Sequence, residues 1–290
     1  MVRSTKRLTV QYLDRWDPDE NASLFPELAG EQFPKPDIVA DLNAEALQAV
    51  ASESQDFVVC SHVLEHVANP LRVLTDMWRV LKPGGLLLIL LPDRRKTFDQ
   101  GRSPTPLDHV VADYEVECVE VDDEHLLEFM THVGVDEETV GEARSGSERG
   151  RAILDYQRRR SIHVHCWTLE EFAPVIEYAI RALGNNWVLV DGLLTEDQGP
   201  ESIEFGFLLQ RCVAEVPSEE VAKLFIEDLA TLVSRRESLA SADWRARRLA
   251  AAEHDLNAIR QTKTFRYSRA PREVYSRLRQ RSTTKPASEA

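Results

Sequence analysis

The stretch from Asp56 to Pro92 constrains the fold of this chain more than any other. It reads DFVVC, a polar crossing, NPLRVLTDMWRVL, KPGG and LLLILLP. The first and last of these are short, continuous apolar runs, the pattern of strands buried on both faces. Between them Leu71, Leu74, Trp78 and Leu81 recur at a helical period. Asn69-Pro70 precedes that stripe, and Gly84-Gly85 is expected to stop it, because glycine suits a left-handed helix end. Strand, helix and strand in this order call for a parallel pair joined by a crossover.

The same alternation extends in both directions. LTVQYLD predicts a strand over Leu8–Leu13 ending at Asp14, and PDIVADL a second over Asp37–Ala40 followed by Asp41. NAEALQAVA has helical composition. After Pro92 the pattern lapses, and 93–160 is polar and patchily helical, an insertion or lid. Regularity returns with TLEEFAPVIEYAIRALGN, where Thr168 and Glu171 predict a capping box and Gly184 a helix end. NWVLVDG and IEFGFLLQR follow with no helix between them, so 187–190 and 203–211 are expected to pair antiparallel. The chain is thus an α/β protein with a mostly parallel sheet and an antiparallel last strand. Its main domain is expected over 1–212, a helical extension over 213–260 and a basic tail over 261–290.

Charge limits the partners. The formal net charge is −14. Nine Lys/Arg against three Asp/Glu make 255–290 basic by six charges, which leaves −20 on the rest. An acidic body argues against nucleic-acid binding, whereas the basic tail suits contact with an anionic protein or membrane surface. The longest apolar run, Leu86–Leu91, is too short to span a bilayer. The basic N-terminus lacks the apolar core of an export signal. Cys60, Cys118, Cys166 and Cys212 form no C-x-x-C and are expected to be reduced thiols in a cytoplasm.

VVCSHVLEHV contains His62-x-x-Glu65-His66, the inverted zinc-peptidase string. That chemistry needs all three side chains on one helix. Here the string begins at a strand end, so the peptidase reading is set aside and no metal is expected.

DFVVCSHVLEHVANPLRVLTDMWRVLKPGGLLLILLPD resembles the S-adenosylmethionine-dependent methyltransferases of the Rossmann-like class. VQYLDR is similar to that family's second strand and DIVADL to its third. YLDRW…LFPEL, PDRRKTFDQGRSPTPLDHVVADY and IHVHCWTLEEF resemble a bacterial subgroup associated with glycan pathways, over about residues 8 to 211. The resemblance implies S-adenosylmethionine as cofactor and O-methylation of a saccharide or related small metabolite. It places Asp14 on the ribose hydroxyls, Asp41 on the adenine amino group and Leu42 against the ring. Cys60, Ser61 and His62 would line the methionine end, with Glu65 and His66 bracing the crossing. Some relatives carry E-x-x-E-H here and bind a divalent ion; this chain has His62 in place of the first glutamate.

The family's glycine-rich loop has no match before Leu8, where a first strand would stand. Weak cofactor binding by this chain is therefore expected, and a catalytically inactive interaction module is the alternative reading. Leu8–Leu13 is alternatively expected to pair directly with Asp56–Cys60. Methyl transfer also needs a proton acceptor. His109, His163 and His165, with Asp113 and His125, lie in or beside the insertion and are the candidates. On a strand-like stretch, His163-x-His165 would point both rings to one face.

Overall fold

The structure, a computed structural model, describes residues 8–28, 33–198, 201–213 and 216–238. The described residues before Ala40 and those from Ala40 onward form two compact units. The basic tail and the second half of the expected extension, together 239–290, lie outside the described residues.

In the first unit, β1 (Leu13–Asp14) is followed by helix α1 (Pro18–Leu24) and by β2 (Ile38–Val39). β1 and β2 pair in parallel, Leu13 opposite Ile38 and Asp14 opposite Val39. The strand expected over Leu8–Leu13 is thus reduced to two paired residues, as is that over Asp37–Ala40. Alternation alone does not make a ladder. Pro34 and Pro36 lack N–H groups on one side of β2, and on the other Asp41 opens a turn. Tyr12 offers its carbonyl to the amides of Asp37 and Ile38, and its own amide is taken by the Asp37 carboxylate at 2.8 Å.

The second unit is built on β3 (Gln55–Ser61), α2 (Pro70–Val80) and β4 (Leu81–Pro92). β3 and β4 are parallel, with Phe57 opposite Leu86 and Ser61 opposite Leu90. Asn69 caps α2 by accepting the Arg72 amide, with Pro70 in the first turn. The helix buries Leu71, Val73, Leu74, Met77 and Val80. It ends at Leu81 in extended conformation, ahead of KPGG rather than on it. Gly84, at φ 82, instead makes the turn that lets β4 restart its pairing after Leu81. Within the second unit β3 pairs with β4.

The segment NAEALQAVA is a run of turns, not the expected helix. Its backbone is satisfied from outside. Asp76 accepts the Leu47 amide at 2.7 Å, Arg79 donates to the carbonyls of Leu47 and Val50, and Arg72 to those of Asn43 and Ala44. Ala46, at φ 47, breaks the one helical turn that begins at Asp41.

Residues 93–160 contain four helices, α3 (Leu107–Glu115), α4 (Asp123–His132), α5 (Glu137–Arg144) and α6 (Glu148–Arg160). Leu126, Met130, Leu154, Ile162 and Val164 form their own apolar cluster. α7 (Leu169–Arg181) carries the expected capping box. β5 (Trp187–Leu193) and β6 (Glu204–Arg211) are antiparallel as expected, and the sheet order is β3-β4-β6-β5. β6 also lies antiparallel to β4, and α8 (Ser218–Ser238) packs on β5 and α7. This is an α/β arrangement with a mixed sheet.

Gly206 sits on β6 opposite Leu90, where an added Cβ would come 2.5 Å from the Ile89 carbonyl oxygen. Gly206→Ala is predicted to cost about 1–3 kcal/mol by overpacking the sheet, which urea unfolding of parent and variant measures directly.

Candidate active site

The C-terminal ends of β3 and β4 carry the site. β3 stops at Ser61, and His62 turns the chain in a left-handed conformation, φ 54. For a residue with a side chain that conformation costs on the order of 1 kcal/mol and needs holding. The His62 amide bonds the Leu90 carbonyl at 2.9 Å. Its Nε2 lies 2.8 Å from Glu204 Oε2 on β6, and its Nδ1 3.4 Å from Glu65 Oε1. Leu64–His66 is a single 3-10 turn, so His62 and the Glu65-His66 pair do not share a helix.

Glu65 is fully buried, and neither carboxylate oxygen has a hydrogen-bond partner of good geometry. Burial pushes its carboxyl up, but His66, His62 and His163 around it outweigh this and hold it below the ordinary value. The main-chain oxygen of Glu65 accepts the amides of Val164 at 2.7 Å and His165 at 3.1 Å. His66 Nδ1 meets the Ile162 carbonyl at 2.9 Å. The crossing after β3 therefore fixes the strandless segment 161–166, and Glu65 and His66 do brace it. Burial lowers the His66 ring, against the raising effect of Glu65.

That segment delivers two histidines to two different places. His163 Nδ1 lies 2.7 Å from Asp99 Oδ2, and Asp99 Oδ1 accepts Arg102 Nη1 at 2.8 Å. Arg102 also donates to the carbonyls of His163 and Val164. Phe98 lies against the His163 ring at 4.5 Å, and the His66 ring is edge-on at 4.8 Å. His165 instead joins His109 and His125, stacked on Trp167 at 5.2 Å. The expectation that both rings serve one face fails, because 161–166 pairs by single contacts to the crossing and not as a ladder.

The other expected residues are placed as follows. Asp14, in the first unit, accepts the Trp16 amide at 3.3 Å and Asn21 Nδ2 at 3.5 Å, and burial pushes its carboxyl up. Asp41 caps the turn after it, accepting the Asn43 amide at 2.9 Å, and Leu42 is half-buried beside it. Cys60 is buried, and burial with the Glu65 charge holds it as a thiol. The Ser61 hydroxyl is buried without a hydrogen-bond partner. None of the four cysteines is in a disulfide. Among the described residues no helix is long and apolar enough to cross a membrane.

Sequence reasoning missed Asp99, Arg102 and Glu204, which orient His163 and His62. Thr97-Phe98-Asp99 stands in a stretch whose resemblance was noted, but the partner of Asp99 is 64 residues away. Asp93 was missed too. It is fully buried at the end of β4, where its carboxylate holds Thr195 and Arg95 and its backbone bridges to Trp167.

The methyltransferase domain family profile matches residues 15–89, 75 of the 290 residues. An uncharacterized methyltransferase of Mycobacterium bovis is 37% identical over 73 residues, covering 25% of this chain and 27% of that protein. A probable S-adenosylmethionine-dependent methyltransferase of Mycolicibacterium smegmatis is 30% identical over 129 residues, covering 42% of this chain and 47% of that protein. A thiol S-methyltransferase of Rattus norvegicus is 51% identical over 43 residues, covering 15% and 18%. This chain spans less than half the length of each of these relatives. A solved S-adenosylmethionine-dependent methyltransferase of Methanosarcina mazei aligns with a TM-score of 0.33 at 16% identity, covering 70% of this chain and 81% of that one.

Asp99 gives a pH test. Burial would raise its carboxyl, but His163 and Arg102 win and hold it below the ordinary value. The folded state then binds fewer protons than the unfolded one. The stabilisation is complete above the unfolded value, about 4, and is lost as pH falls through the folded one. Asp99→Asn is predicted to be roughly 3 kcal/mol less stable at pH 7. The gap to the parent should close below about pH 4, as urea unfolding across a pH series will show.

Proposed function

We propose that this chain is an S-adenosylmethionine-dependent methyltransferase of the Rossmann-like class, acting on a hydroxyl of a saccharide or related small metabolite. The observation that carries the catalytic part is the Asp99–His163 pair beyond the end of β4. A buried carboxylate on Nδ1, reinforced by Arg102, sets the tautomer and leaves Nε2 as the proton acceptor. Ligands of open parallel sheets bind beyond the strands' C-terminal ends, and His163 is linked to that edge through His66 and Glu65.

S-adenosylmethionine supplies an electrophilic methyl on a sulfonium. The residues present supply part of what such a ligand needs, and binding is expected to be weak because the glycine-rich loop has no match. In the second unit the buried Ser61 hydroxyl at the end of β3 lacks a hydrogen-bond partner; in the first, Asp14 is a desolvated carboxylate. Asp14 is proposed for the ribose hydroxyls, Asp41 for the adenine amino group and Leu42 for the ring. Cys60, Ser61 and His62 are proposed for the methionine end. Asp41, Leu42, Cys60, Ser61 and His62 fall inside the family match, and Asp14 adjoins it. Among the three histidines first considered, His163 takes the base role, since its acid partner is buried and fixes the ring. The saccharide acceptor rests on the sequence resemblance, and a histidine base suits a hydroxyl of any such compound.

Calorimetry with S-adenosylhomocysteine should show binding that Asp14→Ala weakens. Labelled methyl transfer should then be measured over saccharide, phenol and thiol acceptors. His163→Ala is predicted to lower kcat by about a hundred- to ten-thousandfold with S-adenosylhomocysteine affinity unchanged. Full activity in that variant would remove His163 from the mechanism. A folded chain with no affinity for S-adenosylhomocysteine would overturn the enzyme reading and favour an interaction module.

A further inference from the structure

A second histidine cluster lies apart from the proposed base. His109 and Asp113 stand one turn apart on α3, His125 is in the first turn of α4, and His165 comes from the segment after α6. The candidate donor nitrogens of His109, His125 and His165 all lie within 4.8 Å of one another. His109 Nε2 is 3.0 Å from His125 Nε2 and 3.2 Å from Asp113 Oδ2. Donors around a tetrahedral zinc, each about 2.0–2.1 Å from the ion, stand about 3.3 Å from one another.

The contacts within the cluster leave buried polar groups without partners. Asp122 Oδ1 lies 2.8 Å from His125 Nδ1, and the Nε2 of that ring faces the Nε2 of His109. Two buried groups remain unserved. Asp113 Oδ2 is buried without a hydrogen-bond partner. His165 is fully buried, and neither ring nitrogen makes a hydrogen bond of good geometry, although the Ala68 carbonyl is close enough to orient one of them. Buried polar groups of this kind normally have partners. Three imidazoles converge here with a carboxylate beside one of them, and another imidazole is already oriented by an outer carboxylate as metal-ligating histidines are.

We propose that His109, His125 and His165 form a binding site for a divalent transition-metal ion of the zinc type, with Asp113 beside His109 as the nearest carboxylate. Three imidazoles and one further oxygen complete a tetrahedral site. The ion ties α3 and α4 to the segment 161–166, which the crossing after β3 also holds. Imidazole and carboxylate donors favour zinc, cobalt or nickel over magnesium or calcium. The site is independent of the proposed methyl transfer, and its test does not use activity.

The full chain, stripped with chelator and dialysed, should be titrated with zinc chloride by calorimetry, and with cobalt chloride by visible absorption. The expected result is one ion per chain, intense tetrahedral cobalt bands, and a thermal midpoint several degrees higher with zinc but not with magnesium. His109→Ala and His125→Ala are partly exposed positions that the fold should tolerate. Each should weaken zinc at least tenfold; His165 is fully buried, so these two variants carry the test instead of it. No uptake by the folded parent would overturn the proposal. So would uptake unchanged in both variants, or uptake lost instead in His66→Ala, which would move the ion to the cluster of Glu65, His66 and His163.

Discussion

The buried carboxylate of Glu65 sets the arrangement of everything at this end of the sheet. An ionised carboxyl without hydrogen bonds is expensive to bury, several kcal/mol even after relaxation. It is tolerable only because His62, His66 and His163 surround it. Those three rings come from the strand end, the following turn and a segment nearly a hundred residues later. The charge therefore draws together parts of the chain that local structure leaves apart. The main-chain oxygen of the same residue completes the attachment by taking two amides of 161–166.

From that attachment the two histidine clusters follow. Once 162–165 is pinned to the crossing, His163 falls beside Asp99 and His165 beside α3 and α4. The first cluster is rich in buried charge, with Asp99 and Arg102 both inside. The second has three convergent rings and one orphaned carboxylate oxygen. A ring held by a buried acid suits proton transfer. A set of convergent lone pairs suits an ion. The same His-x-His spacing thus serves two chemistries, which its two side chains separate.

Strain at His62 belongs to this picture. The strand must end and reverse direction within one residue, and a glycine would do so without cost. The chain instead has a histidine clamped between carboxylates from the crossing and from β6. The clamp ties the parallel part of the sheet to its antiparallel part at the point where the proposed ligand would lie.

By itself the sequence determined the elements whose signals are local. DFVVC and LLLILLP form a parallel strand pair, though Val59 is exposed and β3 is not buried on both faces as its apolar run suggested; Thr168 and Glu171 cap each other across three residues, and the last two strands turn back on each other. It also determined that His62 and Glu65-His66 do not share a helix, because a strand end precedes them. Only the tertiary structure decided the rest. LTVQYLD alternates like a strand, yet its ladder is two residues long because prolines limit its partner. NAEALQAVA has helix-forming residues, yet Arg72, Asp76 and Arg79 of α2 take its backbone groups. The sites depend most on such distant supply. Asp99 meets His163, and Glu204 meets His62, across separations no periodicity encodes. A local signal lies within one turn or one strand, whereas a buried ionisable side chain is placed by whichever partner the whole fold brings to it.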